Sequence, residues 1–209
     1  MSEPRSRWHG LHGRPSGEEY AARFAALAAS GADVHGEASF CAALLPDGGR
    51  VLDAGCGTGR VAIRLGELGF DVVGTDVDES MLAVAHDHAP GIRWFRADLA
   101  SLTAADLDGA TDFDLVVLAG NVVPLVGEGA LSDAVAGVVA LLAPGGQLVA
   151  GFGLDSAHLP GGCPVTSLAE YDEAAAAARL VLGGRFSTWA AQPFDAGQGY
   201  AVSVHRLGA

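Results

Sequence analysis

Val51-Leu52-Asp53-Ala54-Gly55-Cys56-Gly57-Thr58-Gly59-Arg60 decides the fold. Its first half is a short apolar run of strand type. Three glycines at alternate positions then form a turn, and residues 59–68 predict a helix that stops at Gly69. Glycines at a strand-to-helix turn let the backbone pass close beneath a ligand and bring the helix N-terminus up to it. A lone Gly-x-Gly is weak evidence, because such turns occur in many α/β proteins. Here the turn follows a strand, precedes a helix, and is succeeded by an acid at the end of the next strand, Asp76. A carboxylate in that position suits the hydroxyls of a ribose.

Outward from this unit, residues 71–75, 92–97, 113–119 and 147–152 read as strands, and 79–88 and 131–142 as helices, with Asp78 as N-cap of the first. Near-continuous apolar strands alternating with helices predict a parallel sheet covered on both faces. The alternation fails near the end. Residues 168–182, with an alanine run at 174–178, read as one helix, and 185–191 and 200–206 as strands. Two strands with no helix between them predict an antiparallel hairpin at a sheet edge. Upstream, residues 1–17 read as a mobile arm. Residues 18–45 read as two helices, 18–30 with Ser16 and Glu19 as a capping box, and 36–45. Residues 46–209 form the core. The longest uncharged stretch, 134–154, is broken by Pro144-Gly145-Gly146, so it reads as helix, turn and strand rather than a membrane span.

Composition narrows the chemistry. Half of the 209 residues are hydrophobic and 18% are charged, which excludes general disorder. Cys41, Cys56 and Cys163 form no Cys-x-x-Cys pair, so no zinc ribbon is expected and a reducing, cytoplasmic setting fits best. Twelve basic residues against 25 acidic ones give a net charge of −13, which disfavours nucleic acid as a partner. All twelve are Arg. The absence of Lys removes Schiff-base catalysis and the P-loop lysine. No Gly-x-Ser-x-Gly elbow or His-Glu-x-x-His motif occurs, no apolar leader precedes residue 17, and no metal site is expected. His86 and His88, two apart on a helix, do not share a face.

A nicotinamide enzyme needs Gly-x-Gly-x-x-Gly. Gly55 and Gly57 fit, but the third position is Arg60 and the glycine falls one place early, at Gly59. The acid Asp53 just ahead of the turn suits a cationic ammonium better than a pyrophosphate.

The pattern resembles the class I S-adenosylmethionine-dependent methyltransferases. The resemblance rests on Asp53 to Gly59, on Asp76 ending the second strand, and on Asp98 after the third. It rests too on the 113–117 strand and on the Leu142-Ala143-Pro144-Gly145-Gly146 turn. It covers about residues 50–152 and implies a doubly wound α/β fold. The mostly parallel sheet would have seven strands in the order 3-2-1-4-5-7-6, helices on both faces, the last strand antiparallel, and an N-terminal helical lid over 18–45. S-adenosyl-L-methionine is the implied cofactor, with S-adenosyl-L-homocysteine as product. Gly55, Gly57 and Gly59 would cradle the methionine part, with Cys56 in the turn and Asp53 near the ammonium. Asp76 would hold the ribose, Val77 and Met81 would pack on the adenine, and Asp98 and Leu99 would meet its amino group and ring. Ala119 and Asn121 would lie near the sulfonium.

Each assignment has a plainer rival. Asp98 also suits a turn cap, Met81 the core, and Cys56 a buried filler. Asn121 is followed by Val122-Val123-Pro124 rather than the Pro-Pro pattern of base-methylating relatives, which agrees with the charge. The expected activity is methyl transfer to an oxygen or nitrogen of a small-molecule acceptor. The rivals are a regulator that binds the cofactor without turnover, and a nicotinamide oxidoreductase. Candidate bases are His35 and His158, then Tyr20 and Glu37, although an isolated loop histidine is more often structural. No membrane partner is expected, and no oligomeric state is assigned.

Overall fold

The structure, a computed structural model, describes residues 6–208. In chain order the elements are α1 (Gly17–Ala29), α2 (Gly36–Ala42), β1 (Arg50–Ala54), α3 (Arg60–Glu67), β2 (Asp71–Asp76), α4 (Glu79–His88) and β3 (Arg93–Arg96). They continue with β4 (Phe113–Leu118), α5 (Val122–Leu125), α6 (Leu131–Val139), β5 (Leu142–Gly153), α7 (Leu168–Ala177), β6 (Leu180–Phe186) and β7 (Tyr200–Leu207). The seven strands form one sheet in the order β3-β2-β1-β4-β5-β7-β6, as expected. β7 runs antiparallel to both its neighbours, and the other pairs are parallel.

Strand alternation divides the core into two layers. Leu52, Ala54, Val116, Leu118, Leu148 and Ala150 face one side, with α6 and α7. Val51, Leu115, Val117, Val149, Val202 and Val204 face the other, with α2 and α3. A sheet buried on both faces explains why these strands read as unbroken apolar runs. The connection from β1 to β2 runs one way along the sheet and that from β4 to β5 the other, so the winding reverses between the neighbours β1 and β4. This switch point opens a crevice at the strands' carboxyl ends.

Two expectations change. The helix expected over 168–182 stops at Ala177. Arg179 takes a left-handed turn (φ 63°) and β6 begins at Leu180, not at Arg185. Leu180-Val181-Leu182 has no helical periodicity of its own. Pairing with β7, from Leu180 opposite Leu207 to Phe186 opposite Val202, decides its conformation. The strand expected over 185–191 therefore ends at Phe186. The second change concerns the arm expected over 1–17. Residues 1–5 lie outside the described residues, but from Ser6 onward the segment is laid against the body. Ser6 bridges to Val126, and the Arg7 amide donates to the Leu125 carbonyl (2.8 Å).

The other end of this strap is held by Asp78, the N-cap of α4. Its carboxylate accepts from Trp8 Nε1 (2.7 Å), from Arg14, and from the amide and hydroxyl of Ser80 (2.8 Å each). Burial opposes the charge, but the bonds from Trp8 and Ser80 and the Arg14 guanidinium hold the carboxyl below its usual range. α1 then starts at its Ser16–Glu19 capping box, with Gly17 so close to α4 that a Cβ there would fall 2.1 Å from the Ser80 carbonyl oxygen. Asp78→Ala is expected to release the strap. Trypsin should cleave after Arg7, next to Trp8, faster than in the wild type, and the lost cap should cost about 1 kcal/mol of stability. Unchanged cleavage would mean that Asp78 does not hold the segment.

Candidate functional site

The crevice is a cavity of about 610 Å³ at the carboxyl ends of β1, β2 and β4, with α1 and the strap on its outer side. Its floor is the turn between β1 and α3. The amides of Gly55 and Cys56 both donate to the Thr75 carbonyl (2.8 and 3.0 Å), and the Gly57 amide donates to Asp76 Oδ2 (2.8 Å). The turn is thereby fixed to the end of β2. Gly59 has φ 80°, and a Cβ there would fall 2.5 Å from Trp94 Cη2, so both backbone and packing demand glycine.

Three acids line the cavity in different states. Asp53 is 1% exposed and accepts the Ala62 amide (3.0 Å). Burial pushes its carboxyl up to about 7, against the pull of that bond and of Arg60. A buried carboxyl of this kind is completed by a cation. Asp76 is also raised by burial, opposed by the amides of Asp78 and Gly57 (2.8 Å each), one on each oxygen. Each oxygen keeps a second lone pair for a hydroxyl donor. Asp98 accepts the Ala100 amide (3.0 Å) and so caps the short helix at Leu99–Ser101, while also lining the cavity.

Val77, Met81, Leu99 and Ala119 line the cavity; Met81 is only 2% exposed and serves the core as well. Cys56 also lines it, as a filler. Burial pushes its thiol far up, which leaves no nucleophilic thiolate. Asn121 reaches the cavity too, but its amide ties two loops together. Its Nδ2 donates to the His158 carbonyl (3.0 Å) and its Oδ1 accepts the Gly153 amide (2.7 Å).

Of the four candidate bases, the structure brings two to the cavity, His158 and Tyr20. His158 Nδ1 lies 2.8 Å from Asp155 Oδ1, and the imidazole holds that carboxyl below its usual range. The pair sits on Gly199, where a Cβ would fall 2.3 Å from Asp155 Oδ2 and 2.5 Å from His158 Nδ1. Burial pushes the Tyr20 phenol up. His35 is exposed at the start of α2 and does not line the cavity. Glu37 is also elsewhere, engaged by Arg60 through both its oxygens (2.8 and 2.5 Å). Phe24, on the apolar face of the first helix with Tyr20, also lines the cavity, as do Arg23 and Trp8, which the sequence alone does not single out. The signal available for Arg23 is its helical spacing from Tyr20; nothing local marks Trp8. Among the described residues no group of three or more His, Cys, Asp or Glu is placed to hold a metal ion, and no helix is long and apolar enough to cross a membrane.

Comparison with known proteins agrees with this geometry. The family described as "Methyltransferase domain" matches residues 51–146. The solved structure of a TehB-like SAM-dependent methyltransferase from Corynebacterium glutamicum is 35% identical, covers 92% of this chain and 98% of its own, and superposes with a TM-score of 0.81. A putative methyltransferase of Bacillus subtilis, YqeM, is 40% identical over 79 residues, 36% of this chain and 30% of that protein. A magnesium-protoporphyrin O-methyltransferase of Rhodobacter capsulatus is 45% identical over 49 residues, 22% of each chain. The chain thus spans less than a third of the length of these two curated relatives.

Asp53 supplies a test of the site that needs no ligand. Its folded-state pKa of about 7 lies above the unfolded value near 3.9. Its charge therefore opposes folding progressively as pH rises between those values, and fully above them. Asp53→Asn keeps an acceptor for the Ala62 amide. It is expected to raise the melting temperature at pH 8, by about 2–4 °C per kcal/mol recovered, and to change it little near pH 4. No gain at pH 8 would mean that burial does not penalise this carboxylate.

Proposed function

The chain belongs to the S-adenosylmethionine-dependent methyltransferases, and from that premise we propose that it methylates an oxygen or nitrogen atom of a small molecule, with His158 as the base. The observation that carries the reading is the cavity's division into two chemistries. The β1–β2–β3 side presents Asp53, Asp76 and Asp98, and the β4–β5 side presents a histidine paired to a carboxylate.

The residues fit the cofactor. Asp53, buried and raised, is completed by the ammonium of the amino-acid end. Asp76 has lone pairs for the ribose hydroxyls, Asp98 and Leu99 meet the adenine edge, and Val77 and Met81 flank the ring. The bound cofactor supplies a methyl group on a sulfonium, a strong electrophile toward a lone pair. The chain's own task is then to place the acceptor in line, exclude water and receive a proton.

Asp155 orients the imidazole through Nδ1, which leaves Nε2 to take the proton from the acceptor's O–H or N–H as the new bond to carbon forms. His158 retains 43% side-chain exposure, so the proton can pass on to solvent. Tyr20 is less suited, because a phenol pushed up by burial stays protonated near neutral pH. The R. capsulatus relative acts at oxygen, which supports oxygen as one acceptor atom.

Two variants test the reading. Asp76→Ala is expected to weaken S-adenosylhomocysteine binding by about 1.5–3 kcal/mol in isothermal titration, with the chain still folded; normal binding would sink the ribose assignment. His158→Ala is expected to lower kcat by roughly 100-fold or more with the first acceptor found, with S-adenosylhomocysteine affinity unchanged. A kcat near that of the wild type would remove His158 as base.

A further inference from the structure

We infer that the acceptor is a compact, uncharged ring compound methylated at a hydroxyl, of the phenol class. This rests on the reading of the cavity's β4–β5 side as the acceptor side, and it narrows the choice between oxygen and nitrogen to oxygen.

Three pieces of chain build that side, and they are fastened to one another. α5 follows Asn121, whose amide holds the His158 carbonyl of the β5–α7 loop (3.0 Å). Farther along the same loop, Cys163 Sγ donates to the Pro124 carbonyl of α5 (3.5 Å). The strap joins α5 through the bridge of Ser6 to Val126, and the Arg7 guanidinium donates to the same Pro124 carbonyl (3.2 Å). Beside His158 these pieces bring Leu125 and Val126 from the end of α5 to the cavity, and Leu159 and Pro160 from the loop. Trp8 lines it from the strap, between α5 and Asp78. All five are apolar in their bulk, and one is a flat ring.

The polar side chains of the same pieces are spent on the protein itself. Ser6 Oγ donates to the Leu125 carbonyl (3.4 Å) and accepts the Trp8 amide (3.2 Å), and Trp8 Nε1 donates to Asp78 (2.7 Å). Asn121 has both ends of its amide engaged. What this side offers an acceptor is therefore carbon surface and one imidazole nitrogen, His158 Nε2. A charged acceptor would lose its hydration here and gain no partner. The three acids that line the cavity stand on its other side, and Asp155 is already paired with His158. An aliphatic amine, protonated near neutral pH, thus finds no carboxylate. A ring hydroxyl needs only one acceptor for its proton, and its ring suits the flat and branched apolar wall. The whole cavity, about 610 Å³, is of the size that holds one ligand of moderate size, so with the cofactor seated the room left is for a compact molecule. In the transfer the ring oxygen bonds the methyl carbon, the carbon–sulfur pair stays on sulfur, and the hydroxyl proton goes to Nε2.

Three phenols that differ mainly in charge test the inference: para-ethylphenol, para-hydroxybenzoate and para-hydroxybenzylamine. Each is titrated into the protein saturated with S-adenosylhomocysteine, and each is then offered with S-adenosylmethionine. The neutral ring is expected to bind at least about tenfold more tightly than either charged one, and its product is the methyl ether. Leu159 is half-buried in a loop, so Leu159→Arg should fold, and its melting temperature checks this. That variant is expected to shift the preference toward para-hydroxybenzoate by about tenfold, with S-adenosylhomocysteine affinity unchanged. Tighter binding of the anion by the wild type overturns the inference and gives the acceptor a carboxylate for Arg23, which also lines the cavity. Methylation of the benzylamine at nitrogen overturns it too. So does binding of none of the three rings beside bound S-adenosylhomocysteine, or unchanged selectivity in folded Leu159→Arg. Failure of the wild type to bind S-adenosylhomocysteine would instead overturn the cavity's assignment, and this inference with it.

Discussion

The site depends on how the β1–α3 turn is held against the end of β2. Two amides of the turn share the Thr75 carbonyl, and a third is fixed by Asp76. Without these bonds the turn would be freer to collapse into the crevice, because its three glycines have no side chains to brace it. With them, the backbone lies flat beneath the cavity and α3 starts at its edge. The same Asp76 that fixes the turn also lines the cavity, so one residue shapes the floor and presents its carboxylate there. A substitution there acts on both. That is why binding to Asp76 variants is informative only alongside a measure of folding.

The acids of this chain do unlike things, although their sequence settings look alike. Asp53, Asp76, Asp78 and Asp98 all stand at or near the carboxyl ends of strands. Asp78 is surrounded by donors, and its charge is stabilised. Asp53 has one amide and little else, and its charge is resisted. The difference is created by groups far away in sequence. Trp8 reaches Asp78 across 70 positions, and no short motif announces that contact. The consequence is a division of labour, in which Asp78 holds the N-terminal strap and Asp53 remains a charge awaiting a partner.

Sequence reading was strongest where local chemistry and sheet position coincide. The glycine turn, the strand-end acids, the Ser16–Glu19 capping box and the β-α alternation are legible because each depends on neighbours or on a repeating pattern, whereas the strand order came with the family resemblance. The start of β6 could not be read in this way. Its residues follow an alanine-rich helix without punctuation, and its strand character comes from pairing with β7 some twenty positions on. Nor could the fate of Asn121, which reads as an amide beside the sulfonium but has one polar end engaged by the last residue of β5 and the other by the β5–α7 loop. His35 reads as eligible as His158, with Glu37 behind them, because the sequence does not say which N-terminal residues turn inward. α2 packs Ala38, Phe40 and Cys41 against α3 and the sheet, and this places His35 outside and turns Glu37 toward Arg60.

Asn121 also links the two sides of the cavity. It stands immediately after β4, beside the switch point, and adopts a left-handed backbone (φ 69°) that lets its amide reach across to 153 and 158. The carbonyl of His158 is held by Asn121, its ring by Asp155, and both rest against Gly199 in the loop before β7. His158 is thus referenced to β4, β5 and β7 at once, while Asp53 and Asp76 on the other side of the cavity are referenced to β1 and β2. Since β1 and β4 are hydrogen-bonded neighbours, from Val51 opposite Leu115 to Asp53 opposite Val117, the two references share one rigid sheet. In-line transfer needs the donor carbon and the attacking atom fixed relative to each other. A continuous sheet supplies that constraint without any single loop having to provide it.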